Sequence, residues 1–155
     1  MEIGNIKSSF QLISTSVLSL QVKNNLIEYN ERDDGERAID VAFEIHDVSE
    51  TDSVEQHIGI LDLHVTIKCG FEDEQYLSII LIQRGIFTAS QDMDAATFKK
   101  MLRVNGCASL YSIARATISS ISSQLFSSGC VIIPMVNFIR FHELNENNET
   151  KETKD

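Results

Sequence analysis

The sequence predicts an α+β fold: a four-stranded antiparallel sheet packed in two layers on one long helix. Three observations carry this. Four stretches between residues 9 and 88 read as strands, two of them with clean alternation of apolar and polar side chains. Residues 107–126 instead repeat apolar side chains at helical spacing, with Leu110, Ala114, Ile118, Ile121 and Leu125 four, four, three and four apart. The connections among the later strands are short and polar, which suits hairpins and excludes helical crossovers.

Residues 9–23 form the first predicted strand, with Phe10, Leu12, Leu18, Leu20 and Val22 on one side. Residues 24–37, rich in Asn and Asp, read as a loop or crossover anchored by Leu26, Ile27 and Tyr29. In 38–48, Ile39, Val41, Phe43 and Ile45 point inward, and Asp40, Ala42, Glu44 and His46 outward. In 58–69, Leu61, Leu63, Val65 and Ile67 point inward, and Asp62, His64, Thr66 and Lys68 outward. The fourth strand, Gln75 to about Thr88, keeps Ile80 and Ile82 on its second face, so cover on both faces is expected. Consecutive strands of this kind predict a meander.

A short helix over Ala95 to Leu102 precedes the long one, for which Ser109 is the expected N-cap and Gly129 the stop. At about 1.5 Å per residue the long helix is roughly 25 Å in length. Its second face holds Ser112, Arg115, Ala116, Ser119, Ser120, Ser122 and Ser123. Solvated helix faces are usually rich in Lys and Glu, and serine is a poorer helix former. Small neutral side chains let another backbone approach, so this face is expected against another subunit; the alternative is a plain solvated face. Pro134 makes the following residues extended, and a short helix is expected over 138–144.

The chain reads as one domain over 1–144 with a disordered acidic tail over 145–155. The N-terminus lacks the basic and apolar runs of a secretory leader, and no stretch is long enough to span a membrane. Cys69, Cys107 and Cys130 match no metal spacing and read as free thiols of a reducing compartment, so a cytoplasmic location is expected. A net charge of −10 argues against nucleic acid or anionic lipid as the main partner. Residues 28–56 carry eleven acids against two bases, whereas Ala95 to His142 contains no acid and five bases.

No phosphate loop, nucleotide fingerprint, nucleophile elbow or zinc-protease motif occurs, so neither catalysis nor a cofactor is expected. His46 and His64 with Asp40, Glu44 and Asp62 are the one grouping with metal-ligand chemistry, and outward residues on a wet sheet are more often simply solvated. Cys107 near the helix start reads as a buried structural cysteine rather than an activated thiol.

Three segments point to a family. Ile82-Gln-Arg-Gly-Ile-Phe87 resembles the end of the fourth strand of SecB-like export chaperones, where Gln-x-Gly-x-Phe recurs. Leu102-Arg-Val-Asn-Gly-Cys-Ala-Ser-Leu-Tyr-Ser-Ile-Ala-Arg-Ala-Thr-Ile118 is similar to the opening of their long helix, with Leu110-Tyr111-Ser112 in place of Phe-Pro-Tyr and Ala116 in place of Glu. Ile133-Pro-Met-Val-Asn-Phe138 resembles their Leu-x-Pro-Ile/Val-Asn-Phe segment. The resemblance implies a cofactor-free holdase assembled as a dimer of dimers with its long helices sandwiched in the middle. It implies unfolded polypeptides as clients and, as a further partner, the SecA export motor or an antitoxin. Candidate peptide-binding residues are Leu26, Tyr29, Tyr111, Phe126, Ile133, Val136, Phe138 and Phe141, each with core packing as its alternative. Asp40, Glu44 and Asp62 are the candidate acidic docking face. Ser112, Arg115, Ala116, Ser119 and Ser123 are the candidate oligomer interface.

Overall fold

The computed structural model describes residues 8–24, 36–49, 56–71, 74–90, 92–125 and 130–143. Strands β1 (Phe10–Asn24), β2 (Glu36–Ser49), β3 (Gln56–Phe71) and β4 (Glu74–Ser90) form one antiparallel sheet. Helix α1 (Ala95–Met101) runs through a π-helical turn (Leu102–Gly106) into α2 (Cys107–Leu125). An extended segment over 130–137 follows, then a short helix, α3, over 138–143. The expected α+β architecture of sheet on long helix is what the chain adopts.

The strand order is β1-β4-β3-β2, so the expected meander holds only for β2 to β4. β1 pairs with β4, not with β2. This arrangement puts β3 and β4, the strands with the most buried side chains, in the middle and leaves β1, whose single charge is Lys23, and acidic β2 as edges. No separate layer among the described residues covers the outer face of β4. Its Ile80, Ile82 and Ile86 are half-buried beside Thr66, His64 and Ile60, their cross-strand neighbours on β3.

β1 departs from strict alternation for a physical reason. Register shifts fall between Leu12 and Ser14 and between Val17 and Ser19, so Ile13 and Leu18 are bulge residues without a partner on β4. Each bulge moves the alternation by one residue. Phe10, Leu12, Thr15, Val17, Leu20 and Val22 therefore share the helix-facing side, and Leu18, expected among them, does not.

The two helices are one rod. Phe98, Leu102, Gly106, Leu110, Ala114, Ile118 and Ser122 are all buried, every one four residues after the last. In an α-helix a line of fours drifts about 40° per step. The π-helical turn inserts one extra residue and sets the line back over the sheet. Asp94, not Ser109, caps the rod: its carboxylate accepts from the Thr97 amide at 2.8 Å and hydroxyl at 2.6 Å. Ser109 lies inside the helix and donates to the Asn105 carbonyl. Ser122, expected outward, is buried, while Leu125 at the end of the predicted stripe is exposed.

Rod and sheet meet closely because two strand positions lack side chains. A Cβ on Gly85 would lie 2.8 Å from Leu110 Cδ2 and 2.8 Å from Phe87 Cε2; one on Gly59 would lie 2.8 Å from Leu102 Cδ2. Phe10 stacks on Phe87 with centroids 5.2 Å apart and closes this end of the core. Leu110 and Phe87 are fully buried and have nowhere to retreat. Gly85→Ala should lower stability by about 1–3 kcal/mol, read as a lower urea midpoint with an unchanged slope.

Candidate functional site

The returning segment is clasped to α2 through its backbone. The Ser122 hydroxyl accepts from the Val131 amide at 2.7 Å, Arg115 Nε donates to the Ile133 carbonyl at 3.0 Å, and the Tyr111 hydroxyl donates to the Pro134 carbonyl at 2.9 Å. Burial pushes the Tyr111 hydroxyl pKa up, opposed by the nearby Arg115 charge, so it stays protonated and a donor. Asn137 then caps α3, its side-chain oxygen accepting from the amides of Ile139 and Arg140. Phe138 meets Tyr111 edge-on at 5.4 Å, and Phe141 reaches Phe43 of β2 at 5.8 Å.

This clasp decides which apolar residues face out. Tyr111, Ile133 and Phe138, expected to line a peptide groove, are buried in the core of the chain. Val136 and Phe141 are half-buried against that core. Leu26, Tyr29 and Phe126 lie outside the described residues, as does the tail over 145–155. The exposed apolar side chains are their neighbours, Ile132 (66 %), Met135 (83 %) and Ile139 (61 %), together with Leu125. Strand-like alternation places Ile132 opposite Val131 and Ile133, but with all three apolar the sequence does not say which face packs.

A second exposed apolar set lies on β1: Ile13, Val17, Leu18 and Leu20. The outward face of α2 carries Ser112, Ala116 and Ser123, all exposed, with Ser119 and Arg115 half-buried. Arg115, expected at an oligomer interface, is engaged with the Ile133 carbonyl of its own chain.

The outer sheet face is electrostatically different from expectation. Asp40 and Glu44 are exposed, but the Asp62 side chain is only 6 % exposed. Arg84, directly opposite on β4, grips it with Nε on Oδ1 and Nη2 on Oδ2, each at 2.7 Å. His46 Nε2 lies 2.7 Å from Oδ2, and Glu44 lies 3.8 Å from the same His46 nitrogen. A carboxylate only accepts, so His46 carries its proton on Nε2. The two Arg84 bonds, and less strongly the His46 bond, hold the Asp62 carboxyl below its ordinary 3.8 despite its burial. Among the described residues no group of three His, Cys, Asp or Glu is placed to hold a metal ion. Burial alone pushes the Cys107 thiol up to about 12, which makes it inert at neutral pH.

No family model and no curated protein matches the chain. Its structure is similar to the Mycobacterium tuberculosis SecB-like chaperone solved with a peptide of the HigA1 antitoxin, with a TM-score of 0.58 at 12 % identity over 82 % of this chain and 90 % of that one. The chain has the SecB-like fold. A Streptococcus agalactiae protein of unknown function aligns with a TM-score of 0.49 at 8 % identity, over 81 % of this chain and 96 % of that one. No helix among the described residues is long and apolar enough to cross a membrane.

The outer face of the SecB-like sheet titrates with a defined sign. A carboxyl whose pKa is lowered by folding contributes stability above its unfolded value, and that contribution is lost as pH falls through the lower, folded value. Asp62→Asn should therefore lower the urea midpoint at pH 7, and the wild-type and variant midpoints should converge below pH 3.8, where Asp62 becomes protonated. Parallel midpoint curves across pH 2.5–7 would show that the pairing contributes nothing.

Proposed function

We propose that this chain is a nucleotide-independent holdase, acting as an assembly of several copies, that binds extended segments of unfolded polypeptide on the apolar surface beside α2. The observation that carries this is the outward set Ile132, Met135 and Ile139, held in place by backbone clasps rather than collapsed into the core. Exposed apolar clusters of this kind mark interaction surfaces. An unbranched, polarizable Met at the most exposed position suits clients of varied shape. The SecB-like fold supports the reading.

A second reading is a chaperone dedicated to one partner such as an antitoxin. It is favoured by the antitoxin peptide in the M. tuberculosis complex. Delivery to the SecA motor is the export form of the first reading. On the acidic face it would rest on Asp40 and Glu44, because Asp62 is occupied by Arg84 and His46.

The test is light scattering as chemically unfolded proteins are diluted into buffer with the purified chain and no nucleotide. Near-stoichiometric chain should slow aggregation of several unrelated clients. Protection of an antitoxin alone would select the dedicated reading, and protection of none would sink both. Ile132→Ser with Met135→Lys should shift stability by no more than about 0.5 kcal/mol per site yet weaken protection. Assembly has its own test. If Ser119 of α2 meets another copy, Ser119→Glu should lower the mass seen by light scattering behind a sizing column. An unpaired ion buried in a dry seam costs on the order of several kcal/mol. Unchanged mass would leave the serine face in water.

A further inference from the structure

The outward side of the rod carries an unpaired cluster of bases. Lys99 and Lys100 of α1 and Arg103 of the π-helical turn are all exposed, on the side away from buried Phe98 and Leu102. Among the described residues none of the three forms an ion pair. The carboxylate nearest in sequence, Asp94, is engaged as the cap with the Thr97 amide and hydroxyl. Three like charges within about one turn repel one another, and they attract any anion that reaches them.

Three acidic stretches lie outside the described residues, and the topology separates them. The connection over 25–35 leaves from the end of the sheet where Asn24 pairs with Leu77 and Glu36 with Gly70. α1 lies at the other end, with Phe98 and Leu102 over Gly59, about 36 Å from Gly70 along β3. The connection over 50–55 is tied at both ends to strands, and His57 just after it packs on the inward side of α1, its ring 5.3 Å from Phe98. Residues 144–155 follow α3 and carry Glu146, Glu149, Glu152 and Asp155 at every third position, the first two ahead of any base. The segment leading to them runs back along α2 toward α1, Val131 meeting Ser122, Ile133 meeting Arg115 and Pro134 meeting Tyr111. α3 then sets Phe141 on Phe43, whose partner Leu63 is about 13 Å from Gly59 along β3. Residues 144–155 span up to ~40 Å, so the basic face is within their reach.

We propose that the basic face formed by Lys99, Lys100 and Arg103 is the docking site of the chain's own acidic segment 144–155, with Glu146 and Glu149 as its principal carboxylates. Covalent attachment selects this occupant. Each exposed ion pair is weak by itself, so a free acidic peptide holds such a face poorly. An attached one meets it at an effective concentration on the order of millimolar. The docked segment neutralises the face and closes it to acidic stretches of other polypeptides, which bind there only by displacing it. Because the bases are exposed, the latch loosens as salt screens it.

The experiment is zero-length carbodiimide cross-linking of the full chain at low salt, on an equal mixture of unlabelled and heavy-nitrogen-labelled copies, with the joined peptides read by mass spectrometry. Lys99 and Lys100 should be joined to Glu146 or Glu149 of the same copy, and the links should fade as salt is raised. Links to Glu50, Asp52 or Glu55 in their place, links only between copies, or no link to the segment would overturn the proposal. Binding of fluorescent hexaglutamate supplies the second readout. A site held by the segment binds the probe more weakly by the reciprocal of the fraction left free. Glu146→Gln with Glu149→Gln should therefore tighten hexaglutamate binding about threefold to tenfold. Lys99→Gln with Arg103→Gln, at exposed positions where substitution changes the fold little, should abolish it. Unchanged affinity in either variant overturns the proposal and leaves the holdase reading to its own test.

Discussion

Leu110 rests where Gly85 has no side chain, and Leu102 rests where Gly59 has none. These two contacts fix how the helical rod lies over β3 and β4, and the rest of the arrangement follows from them. A rod about 10 Å wide covers roughly two strands spaced about 4.8 Å apart. The returning segment and α3 fill the β2 side, through Phe141 on Phe43. The β1 side is left with Val17 and Leu20 exposed. That exposure is thus a consequence of where the rod can sit.

Polarity on the two sheet faces is handled in opposite ways. On the outer face a carboxylate is sunk among half-buried isoleucines and compensated by a guanidinium and an imidazole. Breaking such a buried pair is far more costly than never having had it. Asp62 is therefore structural, and the acidic character of the face is carried by Asp40 and Glu44 on the edge strand. On the inner face the buried Gln83 amide is half compensated, by Thr15 alone among the described residues.

Most of the fold was legible because period-two and near-period-four patterns report burial directly. The limits of β2 and β3, to within two residues, and the inward set Leu61, Leu63, Val65 and Ile67 followed from alternation alone. What was not legible depended on partners distant in sequence. Asp62 looks like any outward acid until Arg84 stands opposite it, twenty-two residues on. The bulges at Ile13 and Leu18 are invisible until β1 is laid on β4, and they decide which of its apolar residues face the rod. At the candidate site the resemblance named Ile133, Val136, Phe138 and Phe141, which the structure packs in or against the core. An apolar residue that packs and one that projects look alike in sequence, and only the clasp to α2 separates Ile133 from Ile132.

That clasp also bears on how the proposed binding surface of isoleucine and methionine would stay available in water. An extended segment with such side chains gains free energy by folding them under itself. Here the competing side, Val131, Ile133 and Phe138, is already spent in the core, while Ser122, Arg115 and Tyr111 satisfy the backbone groups that face α2. Turning Ile132 or Met135 inward would require ejecting a buried neighbour and breaking a hydrogen bond at the same time. The apolar surface is preorganised because its alternative is already occupied, and a bound chain need not supply the free energy to expose it.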